Sequence, residues 1–363
     1  MNQMRINIIP KRIFTNRKFI GAAVICLLLV AADTLHGQTD IVYVREKDRT
    51  SQVKGKITAT SPDNVSVKTR SGNEDVAISR ITKIKFAGEP SQLDRARSSF
   101  KSGRYDDCLK ELKKITKAPA TPAIKSEMEF FEVFANAQKA LRGDNDVTAK
   151  QAGSSINTFV KNNPDSYHYY AASETLGKLF LAVGKLELAE REFEKLTNSK
   201  SPDMKMRGAF QSGNVQLMNN NFSAAKANFQ TIAGMSGSSD EAKEFKLLAQ
   251  CQSAKADAHS GNPGDAIKTL EKIIATNSSD NERLFAFAYN ALGQCYLKSD
   301  RLKPASRAFL RTHLLFAGDA ESHSEALYNL ATIWPKLNQN DRANEMRQTL
   351  KSRYRNSYWA SKL

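Results

Sequence analysis

The chain has 363 residues, 40% of them hydrophobic and only 8% aromatic. That balance suits a helical repeat better than an aromatic-rich sandwich, and 18 glycines and ten prolines do not suggest bulk disorder. Against 38 acidic residues stand 54 Lys and Arg, a net charge of +16, which favours acidic partners over basic ones.

Residues 1–37 have the make-up of a secretory signal. Arg5, Lys11, Arg12, Arg17 and Lys18 precede an apolar run of 14 residues, Phe19 to Ala32. A membrane span needs roughly 20 such residues, so a cleaved signal is favoured over a retained anchor. Ala31, Ala32 and Gly37 offer small residues for cleavage, and the preferred cut is after Gly37. The remainder holds 49 basic and 37 acidic residues, a net +12. Cys26 leaves with the signal. Cys108, Cys251 and Cys295 stay behind with no CxxC and no metal-ligand spacing, and whether Cys251 and Cys295 pair is open.

From Asp40 to Phe86 the period is that of strands. Ile41-Val42-Tyr43-Val44, Val53 to Thr60, Val65 to Lys68, Val76 to Ile78 and Thr82 to Phe86 alternate or cluster β-branched residues. Turn-formers at Asp48–Ser51, at Ser61-Pro62-Asp63-Asn64 and at Arg70 to Asn73 separate the first four, and Ser79 to Ile81 interrupts before the fifth. Five short strands in this span resemble a small SH3-like or Sm-like β-barrel domain (residues 40–88). Ten Lys and Arg outnumber the acids there. So small a core is marginal alone and is expected to dock on the first helical unit of the chain. Gly88 to Ser91 forms a short joint, with Ser91 placed to cap the next helix.

Beyond Gln92 the chain reads as helix pairs. A small residue recurs one turn into each second helix: Cys108, Ala152, Ala189, Ala225, Ala266, Ala305 and Ala343, at intervals of 36 to 44 residues. Four positions on stand Leu112, Ile156, Phe193, Phe229, Leu270, Phe309 and Arg347, mostly apolar, as one face of an amphipathic helix requires. Five positions before the small slot come Gly103, Gly184, Asn220, Gly261, Asp300 and Asn338, residues that tolerate a left-handed helix end. The second unit departs, with Val147 in that column. In the first helices Gly177, Gly213, Ala254, Gly293 and Ala331 mark a close crossing that only a small side chain permits.

This pattern, exemplified by Leu176 to Leu196, resembles the tetratricopeptide repeat, whose consensus is about 34 residues. The resemblance covers about 92–352 in roughly seven units. It implies a mainly α architecture, an α-α superhelix preceded by the small all-β domain, and a role as a scaffold that holds partners. The closing Arg353 to Ala360 resembles the tail that ends repeats in envelope-associated bacterial members, so residues 353–363 are expected to cap the solenoid.

No active-site motif is present. The five histidines are scattered without HExxH or HxH spacing, and GxSxG, Walker and GxGxxG sequences are missing, so no catalytic, cofactor or metal site is expected. Tyr167 to Tyr170 (YHYY) is the densest aromatic cluster; it reads as a packed helix start, with a stacking or ligand role as the alternative. What a repeat stack offers is a concave surface. The resemblance places the residue after each small slot there: Lys178, Asn214, Lys255, Gln294 and Thr332. Arg207, Asn290, Lys298 and Lys336 are neighbouring groove candidates by the same resemblance. Amides and lysines could grip a peptide backbone or a carboxylate. The expectation is therefore a non-enzymatic, exported adaptor of the bacterial cell envelope with a protein or peptide partner. A basic protein that binds an anionic envelope polymer is the alternative. Nucleic acid is disfavoured by export, and membrane contact would come only through an uncleaved N-terminal segment.

Overall fold

The computed structural model describes residues 39–46, 49–143, 147–237 and 239–363. The signal read in residues 1–37 lies outside them. Alternation of valines with polar residues builds β1 (Asp40–Glu46), β2 (Arg49–Thr60), β3 (Asn64–Thr69), β4 (Gly72–Ala77) and β5 (Ile81–Lys85). They form one antiparallel sheet in the order β4-β3-β2-β1-β5. β2 is long enough to serve both halves: Arg49 to Gly55 pair with β1, and Lys56 to Thr60 pair with β3 across a register shift between Ile57 and Ala59. Such a shift bends a strand. Val42, Val44, Val65, Val67, Val76 and Ile84 are all at most 1% exposed.

Several local expectations are corrected here. Gly72 and Asn73 open β4 rather than belonging to the turn, and Ile78 to Arg80 form a 3-10 turn with Ile81 already in β5. Arg49 to Ser51 are strand rather than turn, because Glu46↔Arg49, Arg45↔Thr50 and Val44↔Ser51 continue the β1 ladder. Ser91 does not cap: it is the first helical residue, behind Pro90, and no side-chain cap bond is made.

Fourteen α-helices come next among the described residues, as seven pairs. They are α1 (Ser91–Lys101), α2 (Tyr105–Lys113), α3 (Pro122–Leu141), α4 (Ala149–Asn162), α5 (Tyr169–Ala182), α6 (Leu186–Thr197) and α7 (Pro202–Met218). Then come α8 (Phe222–Gly234), α9 (Asp240–His259), α10 (Pro263–Thr276), α11 (Glu282–Lys298), α12 (Leu302–Leu315), α13 (Ala320–Ile333) and α14 (Asn340–Arg353). Each helix packs on its neighbours in sequence, and first helices of adjacent units also touch. The result is a tetratricopeptide-like superhelix whose buried apolar residues fall into four successive clusters.

The turn column has a left-handed backbone throughout: φ is 70° at Gly103, 71° at Gly184, 59° at Asn220, 100° at Gly261, 56° at Asp300 and 58° at Asn338. In the second unit the left-handed residue is Gly143, at φ 85°, and not Val147. β-branched Val147 could not adopt that conformation cheaply. α4 instead starts on a capping box, in which Thr148 and Gln151 satisfy each other's backbone N–H groups. The seven small residues of the second helices are all 4% exposed or less.

A Cβ on Gly213 would lie 2.5 Å from the Phe229 ring, and one on Gly293 would lie 2.6 Å from Phe309. Gly177 faces Phe193 in the same way. The three crossings with a phenylalanine opposite have glycine, whereas Ala254 and Ala331 stand in the units whose corresponding residues are Leu270 and Arg347.

The sheet shares its core with the first repeats: its valines and Phe86 join Leu93, Ala96, Ile124 and Phe130 in one apolar cluster. Arg97 of α1 is 7% exposed. Its Nη1 and Nη2 donate to the two oxygens of Glu89 at 2.8 and 2.9 Å, and its Nε donates to Glu127 of α3 at 2.8 Å. Further along, Asp63 in the β2–β3 turn accepts from Ser199 Oγ (2.8 Å) and the Lys200 N–H (2.9 Å), after α6.

Candidate functional site

Positions three apart on a helix lie on one face. The residue after each small slot therefore shares its face with the residue two before that slot, which is Gln211, Gln252 or Asn329 in three units. These two columns lace neighbouring first helices together. Gln252 Nε2 donates to Asn214 Oδ1 at 2.7 Å, and Gln294 Nε2 donates to Asn329 Oδ1 at 3.0 Å. Between them the lacing skips a unit, because α11 has Ala291 where Lys255 would need an acceptor. Lys255 instead forms a buried ion pair with Glu325 of α13.

These side chains floor a cavity of about 420 Å³ between α7, α9, α11 and α13. Phe222, Phe287, Tyr328, Tyr358 and Trp359 supply its aromatic walls. The floor is not polar-saturated. Asn214 and Ser322 are each 2% exposed, yet Asn214 Nδ2 and Ser322 Oγ have no hydrogen-bond partner, and neither does His259 Nδ1. Polar groups buried without any partner cost about 1–3 kcal/mol each. Burial, then Lys298 and Lys255, hold His259 down at about 4 and so neutral, with its ring stacked 4.3 Å from Phe222. Burial and Asp319 push Glu321 up to about 7, with Lys178 and Arg283 opposing.

A second cavity of about 370 Å³ adjoins the first through Met218, Glu321, Tyr358 and Trp359. Its walls come from both ends of the superhelix: Arg142 after α3 and Lys178 of α5 on one side, Asp319 and Ser324 at the start of α13 on the other.

Of the groove candidates, Asn214, Lys255 and Gln294 line the first cavity, and Lys178 lines the second while pairing with Glu174 at 2.7 Å. Arg207 is taken up between Glu174, at 3.1 Å, and Glu241. Burial raises the Glu174 carboxyl, but Lys178 and Arg207 outweigh it and hold the group at about 2. Asn290 is buried behind the floor, donating to the Ser322 carbonyl at 2.7 Å. Lys298, Thr332 and Lys336 are exposed and line neither cavity. Sequence reasoning missed Gln252, Ser322, Glu325 and Asn329. The three-residue spacing could have found Gln252 and Asn329, but nothing local announces Glu325, which meets Lys255 from two units away.

The YHYY cluster is a joint. Tyr167 Oη donates to Glu127 Oε2 at 2.5 Å, His168 Nε2 contacts the same oxygen at 2.8 Å, and the imidazole stacks on Phe130 at 3.5 Å. Burial alone would raise Glu127, but His168, Arg97 and Tyr167 hold it at about 2. The thiols of Cys108, Cys251 and Cys295 are free and buried, and burial pushes each up to about 12. Among the described residues no group of three His, Cys, Asp or Glu could hold a metal ion, and no helix is long and apolar enough to cross a membrane.

No family profile and no curated protein matches the sequence. Solved structures do. A tetratricopeptide repeat protein from Parabacteroides merdae is 14% identical, with a TM-score of 0.50 over 72% of this chain and 92% of that one. A Rap protein complexed with competence and sporulation factor is 14% identical, with a TM-score of 0.49 over 75% and 77%. NprR in complex with its cognate peptide NprX is 14% identical, with a TM-score of 0.45 over 71% and 76%. At this identity the likeness is one of fold: the helical part of the chain is a tetratricopeptide-like superhelix.

Proposed function

We propose that this chain is a non-enzymatic adaptor, exported to the bacterial cell envelope, that holds a segment of a protein partner in the interior of its superhelix. The observation that carries this reading is the amide floor, where buried donors and acceptors on Asn214, Ser322 and His259 stand unpaired inside an aromatic-walled cavity. An extended backbone offers alternating N–H and C=O groups that suit such a floor. The net positive charge favours an acidic partner, but Lys255 is already neutralised by Glu325. Affinity here comes from the amides and from the walls of Phe222, Phe287 and Tyr328. We read the N-terminal sheet as an SH3-like barrel that braces the first repeats, and the bend in β2 supports this. Export rests on the make-up of residues 1–37.

The test is co-purification from envelope extract, comparing the chain that begins at Gln38 with its Gln294→Arg variant over a range of salt. A bound protein that survives high salt and is lost in the variant is the expected result. Recovery that collapses with salt and ignores Gln294→Arg would instead identify the basic polymer-binding protein, whose affinity depends on counterion release. N-terminal sequencing of the envelope-extracted protein should start at Gln38.

A further inference from the structure

The closing segment does more than cover the last helix pair. It leaves α14 at Tyr354, whose hydroxyl is held 2.7 Å from His323 Nδ1, and turns into the superhelix interior. Asn356 Nδ2 donates to the Ala140 carbonyl of α3 at 2.8 Å, and Tyr358 Oη donates to the Met218 carbonyl at the end of α7 at 3.4 Å. Trp359 packs on Tyr328 of α13, with ring centroids 5.3 Å apart, and lies 5.9 Å from Lys255 Nζ. Tyr358 and Trp359 thus form the wall common to both cavities, and Tyr358 is 8% exposed.

Resting on the groove reading above, we infer that residues 354–363 are a resident occupant of the partner site. The partner is then an extended peptide with adjacent aromatic side chains that takes their place. Two features argue for this. The segment's backbone N–H groups at Ser357, Ser361, Lys362 and Leu363 bond within the segment itself, so it seats its aromatic rings without spending its backbone on the floor. The floor is correspondingly left unsatisfied at Asn214 Nδ2 and Ser322 Oγ. An incoming chain that fills the same aromatic seats and also pairs with the floor gains what the resident forgoes. Because the resident is tethered, it competes at an effective concentration on the order of millimolar. Weak incoming segments are thereby refused.

The test uses the full chain and a fluorescein-labelled synthetic peptide with the sequence of residues 353–363. Anisotropy should show at least tenfold tighter binding to the Tyr358→Ala/Trp359→Ala variant than to the unsubstituted chain. Equal affinities, or no binding to a variant with an unchanged circular dichroism spectrum and melting temperature, would overturn the inference. If that variant does not fold, a second measurement decides. Trp334 and Trp359 are the two tryptophans, so Trp334→Phe leaves Trp359 as sole reporter. Titration with the same peptide bearing phenylalanine for its tryptophan should shift Trp359 emission to the red as the segment is displaced, and an unmoved spectrum at saturating peptide sinks the proposal. Failure of the groove reading would show separately, as envelope partner recovery indifferent to Gln294→Arg.

Discussion

Gly213 shows how one missing methyl group sets a helix crossing. Phe229 is 1% exposed and occupies the space that a Cβ at Gly213 would need. Gly213→Ala should cost about 1–3 kcal/mol by overpacking, read as a lower urea midpoint with an unchanged slope. The glycine was legible in the sequence because its column repeats, and the phenylalanine opposite recurs in step with it. Glu321 is a residue of the opposite kind, whose character no local pattern reveals. Its ordinary value of 4.5 is pushed up to about 7 in the fold, so the folded state prefers the protonated form. The carboxyl accordingly costs stability as pH rises from 4.5 to 7. Glu321→Gln should raise the melting temperature at pH 8 and leave it unchanged at pH 4. Cavity-lining groups that cost stability are common where a protein is shaped for binding.

The joint between the sheet and the repeats is built by Arg97. With Glu89 from the connection and Glu127 from α3 on one guanidinium, three segments share a single buried cation. Arg97→Ala would leave both carboxylates without it, and loss of one partner from a buried ionic group typically costs about 3–5 kcal/mol. We expect a drop of that size in equilibrium unfolding, with hydrogen exchange faster in β1 and β5 as well as in α1. The strands themselves could be read from alternation. The start of β2 could not, since Arg49, Thr50 and Ser51 look like turn residues until β1 lies alongside and completes their hydrogen bonds. Likewise YHYY announces packed aromatics, but its role as the clamp on Glu127 depends on a residue 40 positions earlier.

The superhelix curls until the seventh unit faces the second and third across the interior, with the closing segment laid between them. Its anchor is a chain of hydrogen bonds: His313 Nδ1 lies 2.7 Å from His323 Nε2, and His323 Nδ1 lies 2.7 Å from Tyr354 Oη. Burial, His313 and Arg353 hold His323 at about 4, against 6.5 ordinarily. The neutral ring is the folded form, so its contribution is whole above pH 6.5 and is lost as pH falls toward 4. In urea titrations the His323→Gln variant should be less stable at pH 8 and show a shallower decline between pH 6.5 and 4.

Which helices pair, where all but the second pair turn and where the last five cross could be read from residue types at fixed offsets, because each of those features is an interaction between neighbours in the chain. The amide face was half visible for the same reason. The meeting of Lys255 with Glu325, the shared wall of Tyr358 and Trp359 and the return of Asn356 to Ala140 could not be read. They depend on small rotations from unit to unit, summed over seven pairs joined by connections of unequal length, and no single repeat encodes that sum.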